Sequence, residues 1–138
     1  MPIPLALYVH FPWCVTKCPY CDFNSHPLQS ELHEQSYLDA LLSDLRNDAT
    51  LAGGRRISTV FLGGGTPSLF SPRAMETLLL AIDAEIGLSN DAEITMEANP
   101  GAIEHGDFAD YRAAGITRLS LGVQSFCDRH LVALGRVH

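Results

Sequence analysis

The sequence has little positive charge and no long apolar run. Its 138 residues carry nine Lys and Arg against 16 Asp and Glu, a net charge of -7. Proteins that bind nucleic acid or anionic membranes through charge need the opposite balance, so we expect neither partner. No stretch is apolar enough for a membrane span, and residues 1–7 lack the basic start and apolar core of a signal peptide. We therefore expect a cytoplasmic protein that acts on small molecules.

Cysteine is also scarce, with four in the chain, and three of them are crowded into one segment. These are Cys14, Cys18 and Cys21, a spacing that in a reducing compartment is typical of metal ligands and not of disulfides. Three soft thiolates suit an iron–sulfur cluster or zinc, and they leave one coordination position open. Cys127 stands alone, and we expect it to be a small buried apolar group.

Two histidines leave a rival metal site open. His10 lies four residues before Cys14, and His26 lies five residues after Cys21. A zinc ion held by three cysteines and one of these histidines is therefore an alternative to a cluster.

The rest of the chain alternates between strand and helix patterns. Strands are predicted at 5–10, 57–62, 92–97 and 118–123. Helices are predicted after a Ser30 cap, after a Ser71 cap followed by Pro72, and over about ten residues ending near Gly115, with a fifth element starting near Cys127. This α/β alternation predicts one domain of parallel strands with right-handed crossover helices, either an open doubly wound sheet or a (β/α) barrel. The sequence stops soon after the last helical turn starts, so we expect a barrel truncated at the C-terminus.

Each predicted strand is followed or closed by a polar or glycine-rich motif. The motifs are the cysteine loop, residues 63–67, residues 97–100, and Gln124 with Ser125. The carboxyl ends of parallel strands lie together, so we expect one site built from these loops. Glycines 63–65 would let a ligand approach backbone carbonyls or amides closely, while the absence of a nearby lysine argues against a nucleotide phosphate. Asn99 and Pro100 are interpreted as a turn.

Together these motifs resemble the radical S-adenosylmethionine enzymes. The resemblance is carried by residues 8–14, the cysteine spacing, and residues 63–68, 97–100 and 121–126. Within that superfamily the chain is similar to the oxygen-independent coproporphyrinogen III oxidase group, and residues 18–25 are similar to its HemW-type heme chaperones. The resemblance implies a partial (β/α) barrel, with residues 1–138 as the amino-terminal part of a radical SAM core domain.

The resemblance also assigns roles to single residues. Cys14, Cys18 and Cys21 would hold three irons of a 4Fe-4S cluster, and the fourth iron would bind S-adenosylmethionine. The reduced cluster would then cleave that cofactor to methionine and a deoxyadenosyl radical. Gly64, Gly65 and Thr66 match the loop that receives the methionine end. The other cofactor-contacting positions that the resemblance assigns are Tyr8, Glu97, Gln124 and Arg136. Arg136 would suit a carboxylate and Gln124 a ribose hydroxyl pair. Tyr20 lies between two of the cysteines, where it would shield a cluster from solvent or serve as an ordinary packing aromatic.

One departure from the oxidase pattern bears on function. The oxidases carry a further cysteine two residues after the third, and here that position is Phe23. The resemblance therefore favours a heme chaperone that binds heme or porphyrin, takes electrons from a donor protein and passes heme to an apoprotein. An oxygen-independent coproporphyrinogen III oxidase is the alternative, and a non-catalytic zinc module is the second.

Overall fold

The structure is a computed structural model that describes residues 3–101 and 107–136. In chain order its elements are β1 (Leu5–Phe11), β2 (Trp13–Cys14), β3 (His26–Pro27), α1 (Glu34–Asp48), β4 (Ile57–Gly64), α2 (Pro72–Glu85), β5 (Leu88–Ala98), α3 (Phe108–Ala113), β6 (Arg118–Leu121) and α4 (Asp128–Ala133), with 3-10 turns at Ala49–Ala52 and Pro67–Leu69.

The main sheet contains β1, β4, β5 and β6 in that spatial order, and every neighbouring pair is parallel. Consecutive strands along the chain are thus neighbours in space, and helices form the crossovers. A doubly wound sheet reverses its strand order at a switch point. The described strands show no such reversal, so of the two predicted architectures the sheet has the order of a (β/α) barrel.

The sheet has one buried face and one open face. Val9, Val60, Leu62 and Met96 are buried in a core cluster that also contains apolar side chains of α1 and α2. β-strand side chains alternate between faces, so the neighbouring residues Tyr8 and Phe61 lie on the opposite side and remain partly exposed. The helices therefore cover one face of the sheet, while the other carries aromatic and polar groups.

The start of α2 confirms the sequence prediction, whereas the start of α1 corrects it. The Ser71 hydroxyl accepts a hydrogen bond from the amide of Ala74 (3.2 Å), with Pro72 at the first helical position. The helix predicted after Ser30 begins only at Glu34 and has no side-chain cap. The Glu34 carboxylate instead accepts from the backbone amide and hydroxyl of Ser71 (2.6 and 2.8 Å), which ties the first turns of α1 and α2 together.

Other boundaries also differ from prediction. β4 continues through Gly64, so two of the glycines expected in a loop belong to the strand. β5 starts at Leu88, four positions before the predicted start at 92, and β6 ends at Leu121. α3 has six residues and begins with a capping box at Asp107. The beginning of the longer helix predicted there lies outside the described residues.

Candidate cofactor site

The cysteine loop and the carboxyl ends of the strands enclose a cavity of about 430 Å³. Cofactor and small-molecule sites occupy about 300–1,000 Å³, so a ligand of that class fits. All the predicted site residues except Tyr8 line it: Cys14, Cys18, Cys21, Tyr20, Gly64, Gly65, Thr66, Glu97, Gln124 and Arg136. The structure thus brings together motifs that are far apart in the sequence.

Short-range hydrogen bonds shape the cysteine loop. The Cys21 amide donates to the Cys18 carbonyl (3.0 Å), which closes a turn between these two cysteines. The Leu28 amide donates to the Cys14 carbonyl (2.8 Å), where β2 pairs with β3. These hydrogen bonds fix the backbone at Cys14 and between Cys18 and Cys21. All three cysteines are free thiols and are partly exposed.

The arrangement of the three thiols bears on the choice between zinc and a cluster. Within residues 3–101 and 107–136, no three His, Cys, Asp or Glu side chains converge closely enough to hold a single ion. A zinc ion needs its ligands about 2.0–2.3 Å from one point. A cluster has several irons, so its cysteines need not converge on a single point. Three cysteines with a fourth position open suit a cluster, since structural zinc sites usually have four protein ligands.

The two candidate histidines already have partners. The Nε2 atom of His10 lies 2.7 Å from the Asn24 carbonyl oxygen, and its Nδ1 lies 2.9 Å from the Tyr8 hydroxyl. A carbonyl only accepts, so Nε2 carries the proton and Nδ1 accepts from Tyr8. The Nε2 atom of His26 pairs with Asn24 Oδ1 at 3.1 Å. Both ring nitrogens of His10 are thus engaged, which argues against His10 as the fourth zinc ligand.

The glycine segment packs against the backbone that leads into the cysteine loop. The amide of Gly64 donates to Glu97 Oε2 (3.1 Å), that of Gly65 to the Phe11 carbonyl (2.5 Å), and that of Thr66 to the Trp13 carbonyl (2.7 Å). A Cβ atom on Gly65 would lie 2.5 Å from the Trp13 oxygen. Glycine is therefore required here for chain packing. The amides of Gly64, Gly65 and Thr66 are therefore engaged within the protein.

Tyr8 stands beside the cavity on the open face of the sheet. Its ring stacks on Phe61 with centroids 6.3 Å apart, and its hydroxyl donates to His10. Partial burial, followed by the nearby Glu97 carboxylate, raises the pKa of Tyr8. The phenol therefore stays protonated as a donor at neutral pH. Tyr8 is the one predicted cofactor contact that the cavity lining does not include.

Arg136 crosses the cavity wall and contacts the cysteine loop directly. Its Nη1 donates to Cys18 Sγ (3.1 Å) and to the Tyr20 hydroxyl (3.3 Å). Its Nη2 donates to Asn99 Oδ1 and to the Gly122 carbonyl, both at 2.8 Å. Burial of the phenol, followed by its hydrogen bond with Cys18, raises the pKa of Tyr20. The Arg136 guanidinium, which was predicted to bind a carboxylate, thus already donates to four protein groups.

Gln124 occupies a strained backbone position at the cavity. Its φ is 63°, and it is the only residue other than glycine with positive φ in the described parts of the chain. Such a conformation costs of order 1–3 kcal/mol and is common at ligand sites. The strain turns the chain at the end of β6 and places Gln124 on the cavity lining.

Sequence reasoning missed the contacts made by Asn99 and Gly122 and misjudged His10 and Cys127. Asn99, interpreted as a turn former, holds Arg136 and lies 3.5 Å from the Thr66 hydroxyl. The sequence did offer a signal for Asn99. It lies two residues after Glu97, and alternate residues of a strand point to the same side of the sheet, so both side chains are expected at the same site. The Gly122 carbonyl also holds Arg136. His10, considered as a zinc ligand, instead joins β1 to the cysteine loop through Asn24. Cys127, expected to be buried, is exposed.

Comparison with known proteins identifies the class. The model of the Radical SAM superfamily matches residues 8–138. The chain belongs to this superfamily, which confirms the predicted family and fold class.

Particular relatives refine the placement. The chain is 57% identical over 135 residues to the protein named heme chaperone HemW of Escherichia coli (strain K12), covering 98% of this chain and 36% of that protein. It is 42% identical to the mouse (Mus musculus) protein named radical S-adenosyl methionine domain-containing protein 1, mitochondrial, covering 96% of this chain and 30% of that protein. The solved structure of coproporphyrinogen III oxidase (HemN) from Escherichia coli, titled a radical SAM enzyme, superposes with a TM-score of 0.87 at 34% identity, covering 98% of this chain and 31% of that one. The chain thus spans about a third of the length of these relatives.

The described helices contain none that is both long and apolar enough to cross a membrane.

Proposed function

We propose that this chain forms the cluster- and cofactor-binding part of a heme chaperone of the radical SAM superfamily. The observation that carries the proposal is the shared cavity, in which three free thiols face Glu97, Gln124 and the glycine segment. Cys14, Cys18 and Cys21 would hold three irons of a 4Fe-4S cluster and leave the fourth iron for S-adenosylmethionine. When bound and reduced, the cluster supplies one electron to the sulfonium of that cofactor.

The chain's own groups orient the cofactor. The carbonyl oxygens of the glycine segment and the Glu97 carboxylate accept from its ammonium group, because an anion and backbone oxygens suit a cationic donor. The Gln124 amide pairs with the ribose hydroxyls. Tyr20, which is partly exposed at the cavity, covers the cluster against water.

Phe23 favours chaperone function over porphyrinogen oxidation. It stands where the oxidases carry a further cysteine, it lines the cavity, and 63% of its surface is exposed. A phenyl ring provides neither a metal ligand nor a redox-active thiol, and it offers a flat apolar surface to a planar macrocycle. We therefore propose heme or porphyrin as a ligand, an electron donor and a heme-accepting apoprotein as partners, and the cytoplasm as the location.

The test compares heme binding with porphyrinogen turnover in the intact protein. After anaerobic reconstitution with iron and sulfide, cluster content is measured, and heme is titrated in while its visible absorbance is followed. We expect saturable heme binding, transfer of the heme to an apoprotein, and no decarboxylation of coproporphyrinogen III under reducing conditions with S-adenosylmethionine. Decarboxylation over many turnovers without heme binding would instead identify an oxidase.

A further inference from the structure

The segment that follows α4 is fitted to the cysteine loop. Gly135 has a φ of 69°, and a Cβ atom there would lie 2.9 Å from the Pro19 ring. The Gly135 amide donates to the Val132 carbonyl (3.0 Å) and the Arg136 amide to the Leu131 carbonyl (2.9 Å). The end of α4 therefore turns through a glycine against the loop and fixes where the Arg136 side chain starts.

The Arg136 guanidinium is held in place by groups that belong to the protein. Asn99 Oδ1 and the Gly122 carbonyl, which follow β5 and β6, orient Nη2. This arrangement directs Nη1 at Cys18 Sγ at 3.1 Å. The Nε atom is buried and has no hydrogen-bond partner among the described residues. The cation is thus anchored on one side and donates to a predicted cluster ligand on the other.

We infer that Arg136 is a positioning residue that donates a hydrogen bond to the Cys18 sulfur of the assembled cluster and so raises the cluster's reduction potential. This inference rests on the proposed function. A donor and a positive charge beside a ligand sulfur stabilise the reduced cluster, because reduction adds negative charge. Arg136 would act in this way before S-adenosylmethionine binds, since its contacts are made with protein groups alone.

The test is a potentiometric titration of the reconstituted protein, followed by electron paramagnetic resonance and performed without S-adenosylmethionine. Arg136→Gln removes the charge, and we expect its midpoint potential to be more negative than that of the unmodified protein. Arg136→Lys keeps the charge, and we expect a smaller shift in the same direction. Arg129→Gln, an exposed change on α4, is the matched control and should leave the potential unchanged.

Asn99→Ala separates a specific contact from a general loss of structure. Removing this anchor should shift the potential in the same direction as Arg136→Gln, and the double variant should add nothing further, because the two residues act as one unit. Equal midpoint potentials in the unmodified protein and Arg136→Gln would overturn the inference. If Arg136→Gln fails to load a cluster, Arg136→Lys takes its place, and a midpoint potential equal to that of the unmodified protein would overturn the inference. Absence of a cluster from the unmodified protein would overturn the proposed function itself and the inference with it.

Discussion

At the end of β1, a single side chain, that of His10, bears on which metal the cysteine loop can hold. His10 lies between the Tyr8 hydroxyl and the Asn24 carbonyl, which uses both ring nitrogens. A Cβ on Gly64 would come within 2.6 Å of that ring, so glycine at this position makes room for it. His10 therefore joins β1 to the cysteine loop as a hydrogen-bonding link and not as a metal ligand.

The cysteine assignment predicts a clear difference between thiols. Cys18→Ala removes one of three cluster ligands, so we expect loss of most bound iron and sulfide after reconstitution. Cys127→Ala removes the exposed thiol outside the cavity and should retain full loading. Iron and sulfide analysis with visible absorbance measures both. Equal loading of the two variants would contradict the assignment.

Glu97 is predicted to contribute charge as well as shape. Glu97→Gln keeps an oxygen that can accept from the Gly64 amide but removes the negative charge facing the cofactor's ammonium group. A hydrogen bond to a charged group is worth about 1.5–3 kcal/mol, so we expect S-adenosylmethionine to bind about 10- to 100-fold more weakly. Calorimetric titration of cluster-loaded protein measures this affinity. Glu76→Gln, an exposed change on α2, is the control, and equal affinities for Glu97→Gln and the control would contradict the role.

Local spacing singled out the cysteines as candidate ligands, whereas it gave no sign of the long-range contacts of the site. Cys14, Cys18 and Cys21 lie on one loop, so their spacing alone indicates a shared ligand. The bond from Arg136 to Cys18 joins positions 118 residues apart, and it depends on where Asn99 and Gly122 stand after folding. No sequence period encodes that convergence, so only the resemblance singled out Arg136, and for a different contact.

At the scale of elements, the glycine that follows β4, Gly65, packs closely against the backbone that leads into the cysteine loop. Gly65→Ala would place a Cβ atom 2.5 Å from the Trp13 carbonyl oxygen, a backbone atom that cannot rotate away. Overpacking of this kind costs about 1–3 kcal/mol, and we expect a loss at the upper end together with weaker cluster loading. Urea unfolding of the apoprotein gives the first quantity and iron analysis the second.

Gly54→Ala is the matched control for that change. Gly54 has a φ of 76° but open space around it, so alanine there tests backbone strain without a clash. We expect a loss of about 1–2 kcal/mol with unchanged cluster loading. The contrary result is a Gly65→Ala variant that is no more destabilised than Gly54→Ala and binds as much cluster iron. That result would show that the close packing of Gly65 on the cysteine loop contributes neither to stability nor to cluster loading.

The junction between α1 and β1 predicts a pH dependence at the alkaline end. The Tyr37 hydroxyl on α1 donates to the His10 carbonyl (2.6 Å). Burial raises the pKa of Tyr37, with smaller contributions from Tyr8 and Asp44. In the unfolded chain a tyrosine titrates near pH 10, so above that pH the unfolded state loses a proton that the folded state keeps. The free energy of unfolding is therefore constant with respect to this group below pH 10 and falls as pH rises through its folded pKa.

Tyr37→Phe tests the assignment. We expect it to lower the free energy of unfolding at pH 8 by about 1 kcal/mol, through loss of the hydrogen bond, and to reduce the decline above pH 10. Urea titrations at both pH values measure these quantities. The part of the decline that remains belongs to groups such as Tyr8 and Tyr20, and an unchanged decline in the variant would argue against Tyr37 as a contributor.

Helix starts show where local signals suffice and where they fail. Ser71 followed by Pro72 correctly marked the start of α2, because a hydroxyl cap and a fixed φ act locally. Ser30 offered the same hydroxyl but does not begin a helix, since α1 starts where Glu34 can reach Ser71. The competing interaction is with a residue 37 positions away, which a local cap signal cannot reveal.

For the whole molecule, strand order was the feature that the sequence left undecided. Alternating strands and helices fit both a doubly wound sheet and a barrel, because both use parallel strands with right-handed crossovers. The order β1, β4, β5, β6 resolves the choice among the described strands and brings the four motifs to one edge. The match to the Radical SAM superfamily over residues 8–138 agrees with this arrangement.

We propose above that Cys14, Cys18 and Cys21 hold a cluster with one iron open to S-adenosylmethionine. The most direct test is low-temperature electron paramagnetic resonance of the anaerobically reconstituted, reduced protein, recorded with and without that cofactor. We predict a cluster signal whose g values shift on addition of S-adenosylmethionine, because the cofactor becomes a ligand of the open iron. Zinc retained in place of a cluster, or a cluster signal that the cofactor leaves unchanged, would contradict the claim.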